Sequence, residues 1–308
     1  MSNRRLGKVS EAAARGQNVF TCRELHALGV DRDERRSQVE GERWRAVAHR
    51  GVVIHHGPLV GEDLWRAALL SVGASACLGG ISALQAAGMT GLDDEDTHVW
   101  VRKSFRKGRV PGVVLHESRR WTADDAEESG IPRARPAVAA MQAALWARTA
   151  KEAAFMLVLP VQQRLVTADQ LAEQLARVRR HRFRTALGPV IADIGGGSHS
   201  MHELDVIRMC RERGLPEPSR QSPRVGPGGR RYIDVDWPGF GITLEIQGAG
   251  HGLLLQTLDD DVRLVDLSTE GSTALSISVL TLRTNRDAFF DALERLFAAK
   301  GWRRTPPS

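Results

Sequence analysis

The 308-residue sequence contains only three cysteines, Cys22, Cys77 and Cys210, and they lie far apart. Neither a CxxC pair nor a matching histidine spacing accompanies them, which excludes a zinc site of the usual spacing and a disulfide framework. Such cysteine usage is typical of a reducing compartment, so we expect a cytoplasmic protein.

The sequence has no strongly apolar run long enough to predict a membrane span. Its longest charge-free stretch, Ala67 to Leu92, contains five glycines and owes its apolar character mostly to alanine, so two short buried helices are expected there. The first twenty residues are basic but carry no apolar segment before a cleavage site. We therefore expect no secretory signal and no membrane association.

Nucleotide-binding loops are also missing, because neither GxGxxG nor GxxxxGK[ST] occurs. The sequence does have 43 Lys and Arg against 37 Asp and Glu, which gives a net charge of +6. Nearly all of the basic residues are arginines. The planar guanidinium suits phosphate oxygens. Nucleic acid, with DNA foremost, is the first partner to consider.

The N-terminal segment has the pattern of helix, turn, helix and hairpin. Thr21 and Glu24 form a capping box that begins one helix, and Asp31 can cap a second. Two short β-like runs then flank the turn at residues 49–51. This order predicts a winged-helix DNA-binding domain over residues 1–58.

In a winged helix the second helix enters the major groove and the hairpin lies over the phosphate backbone. The expected DNA-binding residues are Arg32, Arg35, Arg36 and Gln38 on the helix and Arg43, Arg45 and Arg50 on the hairpin. The alternative is that these arginines only solvate a helix face, since winged helices also serve as protein-binding modules.

The middle of the chain reads as a central α/β domain over residues 59–160, without a catalytic grouping. The expected elements are helices at 63–71, 81–87 and 136–151 and strands at 97–101 and 112–116.

A basic linker helix is expected over residues 161–192. Its basic run at 177–184 is predicted to continue a helix that begins at Thr167, and a second basic run occupies residues 102–109. Each run is either a solvated face or a contact to a phosphate backbone.

The C-terminal part places acidic residues on a predicted hairpin. A helix at 201–213 carries Glu203 in its first turn, and strand alternation puts Asp234 on the same face as Glu245 and Gln247. Carboxylates collected in this way suit Mg²⁺, which lowers the pKa of bound water. The alternative is that any exposed hairpin alternates polar and apolar residues.

These residues carry a resemblance. The pattern of Ser200-x-x-Glu203, Arg231-x-x-Asp234, Trp237-Pro238 and Glu245-x-Gln247-Gly248 with His251 resembles the very-short-patch-repair-like endonuclease domains of the PD-(D/E)XK superfamily. The similarity covers roughly residues 193–300 and implies a restriction-endonuclease-like α/β domain over residues 193–302. The implied metal ligands are Asp234 and Glu245, together with Glu203, which would hold a ligand or an outer-shell water. The implied catalytic set is Glu203, Asp234, Glu245, Gln247 and His251.

Gln247 stands where that family has a lysine, so the positive charge at this position is missing. His251 is either a general base, a group that stabilises the leaving group, or a structural residue.

The N-terminal and middle parts resemble the type IV abortive-infection antitoxin family at Arg50-Gly51-Val52-Val53 and at Gly80-Ile81-Ser82-Ala83-Leu84. That resemblance implies operator DNA or a toxin as partner. We therefore expect an α/β protein with an N-terminal winged helix-turn-helix, a central α/β segment and a C-terminal restriction-endonuclease-like α/β domain. Its expected function is DNA binding with Mg²⁺-dependent endonuclease activity, and the alternative is a non-catalytic antitoxin-like repressor.

Overall fold

The computed structural model describes residues 2–48, 50–102, 109–118, 122–127, 129–195, 206–225, 231–247 and 273–304. The chain forms two compact units, residues 1–139 and 140–308. Helices and sheets occur in both units, so the expected mixed α/β class is confirmed. No helix in these ranges is both long and apolar enough to cross a membrane.

The first unit begins with three helices and a small antiparallel sheet whose strand order is β1-β3-β2. The elements in chain order are α1 (Ser2–Ala14), β1 (Val19–Thr21), α2 (Cys22–Ala27), α3 (Arg32–Glu40), β2 (Arg45–Val47) and β3 (Gly51–Val53). The sequence did not predict α1 or β1.

Both predicted helix starts in this region are confirmed. The Thr21 hydroxyl accepts a hydrogen bond from the Glu24 backbone N–H at 3.0 Å, and the Glu24 carboxylate accepts one from the Thr21 N–H at 2.7 Å. Asp31 accepts from the Glu34 N–H at 2.8 Å. These bonds satisfy backbone donors that the first helical turn leaves unpaired. A buried core then holds the three helices against the sheet, with members Val9, Phe20, Leu25, Val30, Trp44 and Val52.

Gly51 lies where β3 approaches its neighbours too closely for a side chain. A Cβ at this position would overlap the carbonyl oxygen of Phe20 and come within 2.9 Å of Leu70 Cδ1. Because a backbone carbonyl cannot move aside as a side chain can, Gly51→Ala is expected to lower the free energy of unfolding by about 3 kcal/mol. Urea unfolding measures this, with Gly57→Ala as control because its Cβ would meet only the His55 ring at 3.4 Å. Equal stability of the two variants would contradict the expectation.

The rest of the first unit surrounds a five-stranded sheet of order β6-β5-β4-β8-β7. Its elements are α4 (Gly61–Val72), β4 (Cys77–Leu78), α5 (Gly80–Ala86), β5 (Thr97–Arg102), β6 (Val113–Ser118), β7 (Ala126–Glu127) and β8 (Arg133–Ala134). Strands β5 and β6 are parallel, and β4 runs antiparallel to β5. The predicted helices at 63–71 and 81–87 and the predicted strands at 97–101 and 112–116 are confirmed within two residues at either end.

A series of helices comes next in the chain, and the first of them, α6, begins just before the boundary of the units at residue 139. The helices are α6 (Pro136–Trp146), α7 (Ala150–Gln162), α8 (Ala168–Ala176), α9 (Arg184–Ile194) and α10 (Val206–Glu212). The prediction of one helix over residues 136–151 was wrong, because Thr149 caps a new helix by accepting from the Glu152 N–H at 3.1 Å.

The expectation that the basic run at 177–184 continues a helix was also wrong. Helix α8 ends at Ala176, and the next helix begins only at Arg184. Two apolar side chains of the run, Val178 and Phe183, turn into the protein and are buried. The guanidinium of Arg184 donates to the Val178 carbonyl at 2.6 Å, so part of the basic run holds the connection between two helices.

A four-stranded sheet of order β12-β11-β10-β9 completes the second unit. Its strands are β9 (Arg220–Val225), β10 (Arg231–Trp237), β11 (Ile242–Gln247) and β12 (Thr273–Ser278), followed by α11 (Val279–Thr284) and α12 (Arg286–Ala299). Strands β9 to β11 form an antiparallel meander, and β12 lies parallel to β11. The apolar residues of the sheet share one core with α10, α11 and α12.

Candidate functional site

The acidic residues of the second unit lie on the β10–β11 hairpin. Asp234 stands directly opposite Glu245 in the antiparallel register, and Val235 stands opposite Leu244. Val235 and Leu244 are fully buried, whereas the two acids are half-buried. The predicted alternation of acidic and apolar faces is therefore confirmed for these four residues.

The strand register continues the Asp234–Glu245 pair into a row of residues that crosses all four strands of the sheet. Ser222 on β9 pairs with Asp234, and Ser276 on β12 pairs with Glu245. Residues in one row lie about 5 Å apart between neighbouring strands. The row consequently carries two acidic positions at its centre and a serine position on each edge strand.

The two central acidic positions place carboxylate oxygens on the same face of the sheet. Oxygen donors of this kind fit Mg²⁺, which is commonly held by one or two protein carboxylates together with water and phosphate oxygens. Asp234 and Glu245 together could therefore hold a hard divalent cation.

The structure brings together only some of the predicted site residues. Glu203 and His251 lie outside the described residues, and Gln247 is described in its backbone only, opposite Tyr232 and beside Ser278. Within the described ranges no group of three or more His, Cys, Asp or Glu side chains converges on a common point. Asp234 and Glu245 are thus the part of the predicted metal site whose geometry is defined.

The strand that carries Asp234 ends at Trp237, whose side chain packs against an aromatic residue of α12. The Trp237 indole N–H donates to the Pro216 carbonyl at 2.9 Å, and its ring meets the edge of the Phe297 ring at a centroid distance of 5.4 Å. Phe240, after the Pro-Gly turn, contacts the same Phe297 at 5.2 Å. Edge-to-face aromatic pairs and a satisfied indole fix the hairpin against α12.

In the first unit, α3 carries most of the residues predicted to contact DNA. Arg32 and Arg36 are exposed and Arg35 is half-buried. Arg36 donates to Glu40 at 2.6 Å, and this hydrogen bond raises the pKa of the guanidinium above its usual value. The exposed face of α3 is therefore partly neutralised by its own acids.

Gln38 does not face solvent as expected, because it is 8% exposed and its amide oxygen accepts from Arg43 Nε at 2.6 Å. The period of the helix turns position 38 toward the core, where Gln38 orients Arg43.

On the hairpin, Arg45 and Arg50 are exposed, and no hydrogen bond or ion pair engages their guanidinium groups within the described part of the chain. The two arginines differ in their surroundings. The Arg50 side chain reaches the end of α4, where a Cβ on Gly73 would overlap Nη1 of Arg50. Arg50, which was expected to contact a phosphate, also lines a pocket.

A histidine pair on β5 and β6 was not predicted from the sequence. His98 Nδ1 lies 2.7 Å from His116 Nε2, and His98 Nε2 lies 3.1 Å from Asp94 Oδ2. If Asp94 accepts the Nε2 proton of His98, the neutral His98 ring accepts at Nδ1 and His116 must donate. Burial, reinforced by the nearby His98, lowers the pKa of His116 to about 3.

The low pKa of His116 predicts a loss of stability in mild acid. The unfolded chain binds a proton at this residue near pH 6.5 and the folded chain does not, so the unfolding free energy falls by about 1.4 kcal/mol per pH unit below 6.5. Urea titrations at pH 7 and pH 5 should therefore differ by about 2 kcal/mol more in the wild type than in His116→Gln, which does not titrate. The same pH dependence in both proteins would contradict this expectation.

Comparison with known proteins gives little similarity to this chain. No protein-family model and no curated protein matches the sequence. Among solved structures, the chain is similar to the Rv2827c protein from Mycobacterium tuberculosis with 17% sequence identity and a TM-score of 0.40. The match covers 64% of this chain and 78% of that chain. A TM-score this low does not show a shared fold.

Proposed function

We propose that the protein binds DNA through its N-terminal module and cleaves phosphodiester bonds with Mg²⁺ in its C-terminal unit. The observation that carries the proposal is the register of β10 and β11, which sets Asp234 directly opposite Glu245 on the polar face of a sheet. The strand order β12-β11-β10-β9 and the helices packed behind it support a restriction-endonuclease-like domain.

Within this proposal, Asp234 and Glu245 would hold Mg²⁺ together with Glu203. The bound metal would lower the pKa of its water and supply positive charge for the phosphate in the transition state. The protein's own groups do the rest: Gln247 orients water by hydrogen bonding, and His251 accepts a proton from it or donates one to the leaving oxygen. The buried face of Val235, Leu244 and Ile246 keeps the two strands in register.

A cleavage assay tests the enzymatic part. Purified full-length protein should convert supercoiled plasmid and single-stranded DNA to shorter products in Mg²⁺, and EDTA should stop the reaction. Because co-purifying nucleases give the same result, preparations of Asp234→Ala and Glu245→Ala are run in parallel. Cleavage that persists unchanged in both variants, or no cleavage by the wild type with Mg²⁺ or Mn²⁺, removes the assignment.

The N-terminal module supports the DNA-binding part of the proposal. The order α1-β1-α2-α3-β2-β3 with a β1-β3-β2 sheet supports a winged helix, in which α3 would enter the major groove and the β2–β3 hairpin would form the wing. Residues 1–58 contain eleven Lys and Arg against seven Asp and Glu. Arg32 on α3 and Arg45 on β2 are exposed and have no ion-pair partner among the described residues.

The salt dependence of DNA binding should report how many phosphates these arginines neutralise. If Arg32 and Arg45 each neutralise one phosphate, replacing either by Ala is expected to lower the slope of log K against log salt by about 0.9. Fluorescence anisotropy with duplex DNA at several salt concentrations gives the slope. Arg15→Ala, which removes an exposed arginine outside the predicted interface, serves as control. Unchanged slopes in the Arg32 and Arg45 variants would exclude them as phosphate contacts.

The second candidate is a non-catalytic, antitoxin-like repressor that uses the C-terminal unit as a scaffold. Gln247 favours it, because a neutral side chain stands where the resembled nucleases carry a lysine. This candidate predicts tight, salt-sensitive and sequence-selective binding to an operator without turnover at any metal. A cognate toxin as binding partner would support it further.

A further inference from the structure

We infer that the first unit contains a binding pocket for a small anion with an aliphatic body. A cavity of about 540 Å³ lies beside the N-terminal module. One wall is β1 with the start of α2, a second is the end of α4 with the loop that follows, and a third is the turn at residues 130–132. The volume is in the range of pockets that hold drug-sized ligands.

The interior of this pocket is aliphatic. The apolar side chains that line it are Val19, Leu69, Leu70, Ala74, Ala76, Ile131 and Pro132. Among the described residues that line it, none is aromatic. A flat aromatic ligand would find no ring to stack on, whereas a flexible alkyl chain can fill a cavity of this kind by burying apolar surface.

The pocket also carries an excess of positive charge, with Arg23, Arg50 and Arg66 against Glu24. Arg66 is already held by Glu62 at 2.8 Å and lies 3.6 Å from Glu24. Arg23 and Arg50 are exposed, and neither forms a hydrogen bond or ion pair through its guanidinium within the described part of the chain. Two available guanidinium groups beside an apolar cavity favour an anionic head group.

The absence of a side chain at Gly73 leaves room for the Arg50 guanidinium beside the pocket. The Gly73 φ of 137° lies in a region that L side chains rarely adopt, and a Cβ there would overlap the Arg50 guanidinium. Arg50 can therefore lie against the end of α4, where the negative end of the helix dipole also favours a cation. The Cys22 N–H donates a hydrogen bond to the Arg50 carbonyl at 2.9 Å, which ties together the backbones of two residues that line the pocket.

The ligand chemistry follows from these two features. An alkyl chain that ends in a carboxylate or a phosphate satisfies both, because the arginine fork binds either group through paired charge-assisted hydrogen bonds. The bound molecule would touch α2 and the residue before β3, and so would contact the module proposed to bind DNA. The binding itself does not rest on the proposed function.

Isothermal titration calorimetry of the full-length protein with decanoate and with decyl phosphate tests this inference. At least one of the two is expected to bind with 1:1 stoichiometry, and decylamine, which has the same chain and the opposite charge, at least about tenfold more weakly. Ala74→Trp fills the cavity and Arg23→Ala removes a head-group contact, so each should weaken binding by about tenfold or more. The matched controls are Ala27→Trp and Arg15→Ala, which alter exposed positions outside the lining.

Thiol labelling gives a second measurement that reports the position of the ligand. Cys22 lines the pocket, whereas Cys77 and Cys210 are buried and burial raises the pKa of each thiol to about 12. Thiolate is the reactive form, so labelling at neutral pH should occur at Cys22. Whichever of decanoate and decyl phosphate binds in calorimetry is expected to slow the labelling of Cys22 in the wild type. At the same concentration it should slow labelling less in Arg23→Ala.

Three results would overturn the inference. One is the absence of both heat and protection with either anion in the millimolar range. Another is equal affinity of the wild type, Ala74→Trp and Arg23→Ala for the anion. The third is equal binding of decylamine, which would show that only apolar surface is recognised. Arg23 is exposed, so its variant remains informative if Ala74→Trp fails to fold.

Discussion

Replacing Asp234 by Ala is expected to lower the rate of Mg²⁺-dependent DNA cleavage by a factor on the order of 10² to 10³, the cost typical of removing one group that stabilises charge in the transition state. Glu245→Ala should have a similar effect, since the register sets the two carboxylates opposite each other. If both hold the same ion, the double variant should be little worse than either single variant, because residues that act as a unit are not additive.

Asp236→Ala provides the matched control for this prediction. Asp236 lies two residues from Asp234, is also half-buried and stands opposite Thr243 instead of an acid. Its replacement removes the same charge from the same strand and is expected to change the cleavage rate little. A loss of activity as large in Asp236→Ala as in Asp234→Ala would indicate a general electrostatic or folding effect and would argue against a specific metal site.

Replacing Asp193 by Ala is expected to lower the free energy of unfolding by about 3 kcal/mol, near the lower end of the cost of breaking a buried ion pair. Asp193 on α9 is within 3.3 Å of Arg283 Nε on α11, and the Asp193 side chain has no exposed surface. Arg283 retains 19% exposure, so water can still solvate part of its charge when the carboxylate is gone. Urea unfolding of the wild type and the variant measures the difference.

Two further variants separate the charge from the packing. Asp193→Asn keeps the side-chain size and removes the charge, so it should lose most of the same stability. Glu217→Gln breaks the exposed pair with Arg211, whose 2.8 Å contact lies in solvent, and should leave the unfolding midpoint nearly unchanged. If Asp193→Asn is as stable as the wild type, the ion pair does not contribute as proposed.

Local signals predicted the elements that depend on neighbouring residues in the chain. The capping bonds at Thr21 and Asp31 join residues three apart, and the polar-apolar alternation around Asp234 and Glu245 follows from strand geometry alone. Such features need no knowledge of the rest of the fold. The mixed α/β class and the acidic face of the hairpin were for that reason accessible from the sequence.

Errors arose where burial or distant pairing decided the structure. The helix expected through the basic run stops at Ala176, and Val178 and Phe183 in that run are buried, which arginine content does not reveal. Strands β7 and β8 are two residues long and exist through pairing, with β8 also bound to β4. Gln38 appeared to be a surface residue but is packed inside, where it accepts from Arg43.

The sequence by itself determined the helix starts, the acidic face of the β10–β11 hairpin and the arginine-rich character of the first 58 residues. Only the tertiary structure decided that Asp234 meets Glu245 in register, that His98 meets His116 across eighteen residues of chain, and that Arg50 borders a cavity. The physical reason is that capping and alternation are set by bonds between near neighbours. Pockets, histidine pairs and strand register depend instead on which distant surfaces the chain buries together.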